Sequence, residues 1–219
     1  MVTDELKRNI DAVQERIARA SASARSKITL VAAVKTVPPE TINAAIKLGV
    51  TDIGENRVQE YTEKRDSVCG AIWHFIGTLQ RNKAKYLVGN VALIQSVNSE
   101  ALAAEIDRLA KKRGIVQDVL VEINAADEHS KTGANTSCAE QLIEYCAALS
   151  SIRVRGLMAV PPRNADKQVY IDMRRLFDAH KNATFDTLSV GMSGDYEQAI
   201  EHGSNMVRIG TAIFGQRKQ

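Results

Sequence analysis

The sequence predicts an α/β protein of the (β/α)8, TIM-barrel type, modified by an additional helix at the N-terminus. Three observations carry that reading. Short β-rich runs alternate with helix-periodic stretches, the runs number eight, and the 219 residues contain no linker or low-complexity tract, so 1–219 reads as a single domain. Strict alternation implies parallel strands joined by right-handed crossovers. Eight such units close into a barrel, and the count favours closure over the competing doubly wound open sheet.

The first helix is expected over residues 3–22, where Leu6, Ile10, Val13 and Ile17 recur at a spacing of three to four. "ITLVAAVK" (28–35) is the first strand, followed by a helix that opens at the prolines of "PPETINAAIKLG" and stops at Gly49. "DIG" (52–54) leads into a helical "NRVQEYTEKRDSV", and "IWHFIG" (72–77) into "QRNKAKYLV". "VALIQSV" (91–97) precedes "SEALAAEIDRLAKKRG", with Ser99 as N-cap and Gly114 as stop. "VQDVLVEIN" (116–124) precedes a polar loop and the helix "SCAEQLIEYCAAL". "IRVRGLMAV" (152–160), "FDTLSVG" (185–191) and "MVRIG" (206–210) are each followed by a helix: "ADKQVYIDMRRLFDAHK", "GDYEQAIEHG" and "TAIFG" respectively.

Bulk properties exclude several classes. Apolar residues at 44% and charged residues at 25% describe a soluble globular chain. A formal charge of +3, with no basic cluster beyond "KKR" at 111–113, gives no reason to expect nucleic acid or an anionic membrane as partner. No apolar segment approaches the roughly 20 residues a membrane span needs, and the charged N-terminus has no signal-peptide core. Cys69, Cys138 and Cys146 lack metal spacing and read as free thiols of a reducing cytoplasm, with no metal site expected.

In a barrel of this type chemistry gathers at the C-terminal strand ends. Here those ends carry Lys35; Glu55, Asn56 and Arg57; Asn124; Ser193 between glycines; and Arg208 with Gly210 and Thr211. "SVGMSGD" (189–195) and "VRIGTA" (207–212) place small residues before two helices, after strands seven and eight. Backbone amides approach a phosphate closely at such turns, which together outweigh the reading of two ordinary tight turns. Lys35 ends an almost wholly apolar run, as an inner strand should. Most strand-end lysines snorkel to water. A lysine held in a barrel mouth opposite a phosphate cradle is instead an amine nucleophile, suited to pyridoxal 5′-phosphate (PLP) or a phosphosugar.

Arg208 either lies beneath such a ligand and addresses a ring nitrogen or pairs with a carboxylate such as Glu122, and both alternatives stay open. His74, inside the third strand, is read as a hydrogen-bonded core residue rather than a catalyst. The loop 124–137 is either a lid or a mobile surface segment, and its Lys131 either a second amine or an exposed lysine.

The segments "ITLVAAVKT", "GENRVQE", "WHFIGTLQRNK", "SKTG", "RGLMAV", "TLSVGMSGD" and "MVRIGTAIFG", spread over residues 28–215, resemble the pyridoxal phosphate homeostasis protein family, related to the barrel domain of alanine racemase. The resemblance implies PLP held as a Schiff base on Lys35, with Ser193, Gly210 and Thr211 at the phosphate. It also implies Arg208 near the pyridine nitrogen and Asn56 beside the cofactor. His74, Lys131, Met158 and Gly194 are secondary candidates. Val34 departs from a pattern in which many members carry a hydroxyl residue before the lysine. Racemases of this fold type take a second base from a further β domain and a partner subunit. The sequence ends nine residues after Gly210, so no such base is expected. The expected role is therefore PLP binding in intracellular vitamin B6 homeostasis, by a cytoplasmic monomer that hands PLP to PLP-dependent apoenzymes and is not an enzyme. The alternatives are a weak racemase-like enzyme, a Schiff-base aldolase, or a pure interaction module.

Overall fold

A computed structural model describes residues 2–22, 27–125 and 133–216. Its strands are β1 (Thr29–Ala33), β2 (Asp52–Glu55), β3 (Ile72–Phe75), β4 (Leu93–Val97), β5 (Gln117–Asn124), β6 (Ala134–Asn135), β7 (Ile152–Ala159), β8 (Thr187–Ser189) and β9 (Met206–Ile209). They run β4-β3-β2-β1-β9-β8-β7-β5, all parallel, and a β4–β5 pairing closes the ring. The eight expected strands are all present, and they form the barrel. β6 is an addition the sequence reading missed: it pairs with the end of β5 through Ile123↔Ala134 and Asn124↔Asn135.

The helices are α1 (Val2–Ala20), α2 (Pro39–Lys47), α3 (Val58–Lys64), α4 (Glu100–Lys112), α5 (Thr136–Ala147), α6 (Lys167–His180), α7 (Tyr196–Glu201) and α8 (Thr211–Phe214). The Ser99 hydroxyl caps α4 by accepting from the Leu102 amide, as its position predicts. α1 buries Leu6, Ile10, Val13 and Ile17 and lies over α7 and α8, where Arg16 makes a bidentate pair with Glu197 and Asn9 donates to the Ile213 carbonyl.

The element after β3 differs in kind along its whole length, whereas the one after β2 ends in a 3-10 turn over Arg65–Ser67. The helix expected at "QRNKAKYLV" is a 3-10 helix over Arg81–Tyr86. Ala84, Leu87 and Val88 must all be buried within barely more than a turn, and Gly89, at φ +74°, then ends the segment. Tight i→i+3 bonding suits so short a piece.

Two apolar clusters fill the fold. The larger one lies between sheet and helices and includes Val34. Val31, Leu93, Leu120, Met158 and Met206 form the smaller one, inside the barrel. Two residues further along three of those strands come Gln95, Glu122 and Arg208, buried and polar, so the interior changes from apolar to polar toward the C-terminal rim. All three cysteines are free thiols, Cys146 being buried.

A bulge in β7 shapes the wall beneath that rim. Val119 faces Val154 but Leu120 faces Gly156, leaving Arg155 as the extra residue, whose guanidinium binds Asp118 and Asp186. Gly156 adopts φ +146°, and a Cβ there would lie 1.8 Å from the Thr187 carbonyl oxygen. Gly156→Ala is therefore expected to lower unfolding free energy by roughly 3 kcal/mol or more, read from urea denaturation. A loss within about 0.5 kcal/mol would show that β7 and β8 separate without cost.

Candidate functional site

β1 ends at Ala33, and Val34 and Lys35 carry the chain over the C-terminal rim into a turn. Lys35 is half-buried, and the next residue, Thr36, sits at φ +60°. A β-branched residue in the left-handed region is strained, at a cost on the order of 1–3 kcal/mol.

Lys64, at the end of α3, holds this turn. Its ammonium donates to the Val34 carbonyl at 3.0 Å, to Glu55 Oε2 at 2.9 Å and to Glu60 Oε2 at 2.8 Å, which uses all three of its hydrogens. The Thr36 amide donates to the same Glu60 oxygen at 2.7 Å. The backbone on both sides of Lys35 is thus pinned by one ion cluster. Burial pushes the Glu55 carboxyl up, against the pull of Lys64. Burial acts on Glu60 in the same sense, but the bonds from Lys64 and the Thr36 amide hold it below the ordinary carboxylate range. Val34 packs in the outer apolar shell, so a hydroxyl at this position would be buried there.

The turns after β8 and β9 meet next to it. Ser193 Oγ accepts from the amides of Gly210 and Ala212, both at 3.3 Å, so its oxygen sits where two N–H groups converge at the start of α8. Gly191, at φ +107°, lets its turn lie against α7, where a Cβ would come within 2.9 Å of Tyr196. Asp195 fixes the same turn by accepting from the Met192 amide and the Tyr170 hydroxyl. At Gly194 a Cβ would have nothing within 4 Å, and a cleft of about 220 Å³ runs past Ser193, Gly194 and Asp195 to Arg16. At Gly210 a Cβ would lie 3.2 Å from the Ala33 carbonyl, which brings the last turn against the strand that leads to Lys35. Thr211 is exposed at the first position of α8.

Arg208 lies inside the barrel, 4% exposed. It donates to the Ser189 carbonyl at 2.7 Å, to Ser189 Oγ at 2.6 Å and to the Ala159 carbonyl at 2.8 Å. Burial pulls its pKa down to about 10, while Asp195 and Glu122 oppose the fall, so the guanidinium remains charged at neutral pH. Of the two alternatives, pairing with Glu122 gives way to bonds with strand oxygens, and Glu122 acts as a charge in the surroundings.

Asn56 follows β2, and its Oδ1 is buried with no hydrogen-bond partner among the described residues. Gly77 makes room for it: a Cβ there would fall 2.1 Å from the Asn56 carbonyl oxygen. His74 is a bonded core residue, as expected, with Asp52 on Nε2 and Gln95 on Nδ1. Met158 belongs to the apolar floor. Lys131 lies outside the described residues.

The sequence reading missed Lys64, Gln95 and Ser189. Gln95 and Ser189 were detectable as single polar residues within apolar strands. Lys64 sits among charged residues of a helix and gave no signal.

The chain matches the family model described as alanine racemase, N-terminal domain, over residues 6–218. It is 41% identical over 224 residues to the pyridoxal phosphate homeostasis protein of Aquifex aeolicus, covering 98% of each chain. The structure of PipY from Synechococcus elongatus with PLP bound superposes with a TM-score of 0.77 at 29% identity, covering 91% of this chain and 100% of that one. An alanine racemase of Clostridium difficile shares the fold, with a TM-score of 0.77 at 18% identity, and this chain covers 60% of its length.

Lys64→Met would strand the buried Glu55 carboxylate, and is expected to cost roughly 3–5 kcal/mol in urea unfolding. Adding Glu55→Gln should recover part of that loss. A single variant as stable as the wild type would show that the cluster does not hold the turn.

Proposed function

Because the chain belongs to the alanine racemase N-terminal domain family, and within it to the pyridoxal phosphate homeostasis proteins, we propose that it binds PLP through Lys35 and acts in intracellular PLP homeostasis. The observation that carries this reading is the shared rim: the pinned turn bearing Lys35 stands beside the joined turns of Ser193 and Gly210. PLP supplies an aldehyde that condenses reversibly with a lysine amine, releasing water, and a phosphate that needs a cradle.

The residues present fit that group. Ser193 Oγ already occupies the position of an oxygen that accepts from the Gly210 and Ala212 amides, and phosphate oxygens ask for the same donors. Thr211 adds a hydroxyl, and the open space at Gly194 admits the ligand. Asn56 Oδ1, buried without a partner among the described residues, has one to gain from a bound molecule. Arg208 only donates hydrogen bonds, so it leaves a pyridine nitrogen unprotonated and weakens the ring as an electron sink. That chemistry suits holding and releasing PLP better than turning over amino acids.

Racemisation requires a second acid–base group across the ring. His74 does not supply it, because both of its ring nitrogens are engaged by Asp52 and Gln95. We therefore read the protein as a cytoplasmic, monomeric PLP carrier without strong turnover, with PLP-dependent apoenzymes as recipients. Among the described residues no helix is long and apolar enough to cross a membrane, and no His, Cys, Asp or Glu group is arranged to hold a metal.

Purified protein incubated with PLP should develop a visible band that Lys35→Ala abolishes. Ser193→Ala should keep the band but weaken PLP binding about tenfold, as loss of a bond to a charged group does. Exchange of the α-hydrogen of amino acids in deuterium oxide should run no faster than with free PLP. A band that survives Lys35→Ala would refute the assignment of the lysine, and rapid α-exchange would refute the carrier reading.

A further inference from the structure

Beneath Arg208 a chain of hydrogen bonds crosses the barrel interior. Arg208 Nη1 donates to Ser189 Oγ at 2.6 Å, and Ser189 Oγ donates to Gln95 Oε1 at 2.7 Å. Gln95 Nε2 then meets His74 Nδ1 at 3.2 Å, and His74 Nε2 meets Asp52 Oδ1 at 3.0 Å. Arg208, Ser189, Gln95 and His74 are all buried. Asp52 is the first residue of β2, its side chain 26% exposed, at the end of the barrel opposite the rim.

The direction of every bond follows from groups that have a single role. A guanidinium only donates, whereas a carboxylate and a thioether only accept. Gln95 Nε2 also lies 3.3 Å from Met206 Sδ, so the amide nitrogen, not the oxygen, faces the sulfur. Ser189 Oγ receives a hydrogen from Arg208, and its own proton therefore goes to Gln95 Oε1. His74 Nδ1 receives from Gln95, which puts the imidazole proton on Nε2, toward Asp52. The chain is polarised one way, from a fixed cation to a carboxylate, in a low-dielectric interior where each bond strengthens its neighbours.

We propose that Ser189, Gln95 and His74 are positioning residues for Arg208. Of the five N–H donors of a guanidinium, three are used on Ser189 and Ala159. The orientation those bonds impose decides where the others point. The chain fixes the hydroxyl end of that arrangement, because the Ser189 proton is held toward Gln95 and its lone pairs stay turned to Arg208. Breaking the chain at Gln95 or His74 frees the Ser189 hydroxyl to rotate and loosens the one side-chain bond on the guanidinium, whose two carbonyl bonds then hold it less closely. The consequence for the ring nitrogen rests on the PLP reading. The hydrogen-bond order does not.

The test therefore has two arms on the full chain. The first, without PLP, reads the ring-nitrogen chemical shifts of His74 by long-range proton–nitrogen correlation NMR. The wild type should show the Nε2–H tautomer. Ser189→Ala, which removes a group that does not touch His74, should move those shifts toward a tautomer mixture. The second arm records the visible band and PLP affinity of Ser189→Ala and of the near-isosteric Gln95→Met. Both should shift the band and weaken binding by about tenfold. Either variant alone suffices if the other fails to fold.

An Nδ1–H tautomer in the wild type would overturn the proposal. So would His74 shifts and a band that stay unchanged in the variants. A wild type that forms no band at all, while its imidazole shifts follow the expected order, would instead remove the PLP reading and with it the purpose assigned to the chain.

Discussion

A guanidinium buried in the interior of a barrel has to be met on each side by acceptors, because the surrounding strands cannot solvate it. Arg208 meets this demand with oxygens of the two strands that need tying most. β8 has only three residues, and its ladder with β9 is one register pair, Ser189↔Met206. The bonds from Arg208 to the carbonyls of Ser189 and Ala159 reinforce that stretch of wall across β7, β8 and β9. The same bonds orient the charge that stands below the rim. Closing the barrel and setting the site are one requirement here, and the chain through Gln95 and His74 follows from it, since each polar atom buried to satisfy Arg208 needs a partner of its own.

The rim above is built on the same logic. Lys64 is buried among Val34, Glu55 and Glu60, so its charge is balanced and its hydrogens are used. What the cluster secures is geometric: it holds a strained Thr36, and with it the direction in which Lys35 leaves β1. Gly210, pressed against Ala33, brings the last turn to the same place. A small aldehyde phosphate would be gripped at two ends by groups whose separation is set by β1 and its neighbour β9.

Much of this was legible in the residues. Period and punctuation found all eight barrel strands, because inner parallel strands are apolar on both faces and their helices are amphipathic. The two glycine turns and Lys35 stood out because each breaks a strand pattern with a residue type that needs a reason. The segment at 80–88 carries a helical pattern but not its type, since burial at three-residue spacing satisfies both the α and the 3-10 helix. β6 escaped because two residues carry no period. Lys64 was hidden for a deeper reason: its partners come from the turn after β1, from β2 and from its own helix, and only the pairing of β1 with β2 brings Val34 and Glu55 to it. Gln95 and Ser189 lie between these cases, visible as polar interruptions of apolar strands but joined only by the ring.

The pinned turn presents Lys35, and no other lysine, to the cofactor proposed for this rim. Borohydride reduction of the protein after incubation with PLP, followed by peptide mass mapping, tests it most directly. The expected result is a phosphopyridoxyl group on the peptide carrying Lys35. A label confined to other lysines, with Lys35 unmodified, would contradict it and leave Lys35 as a strand-end lysine reaching for water.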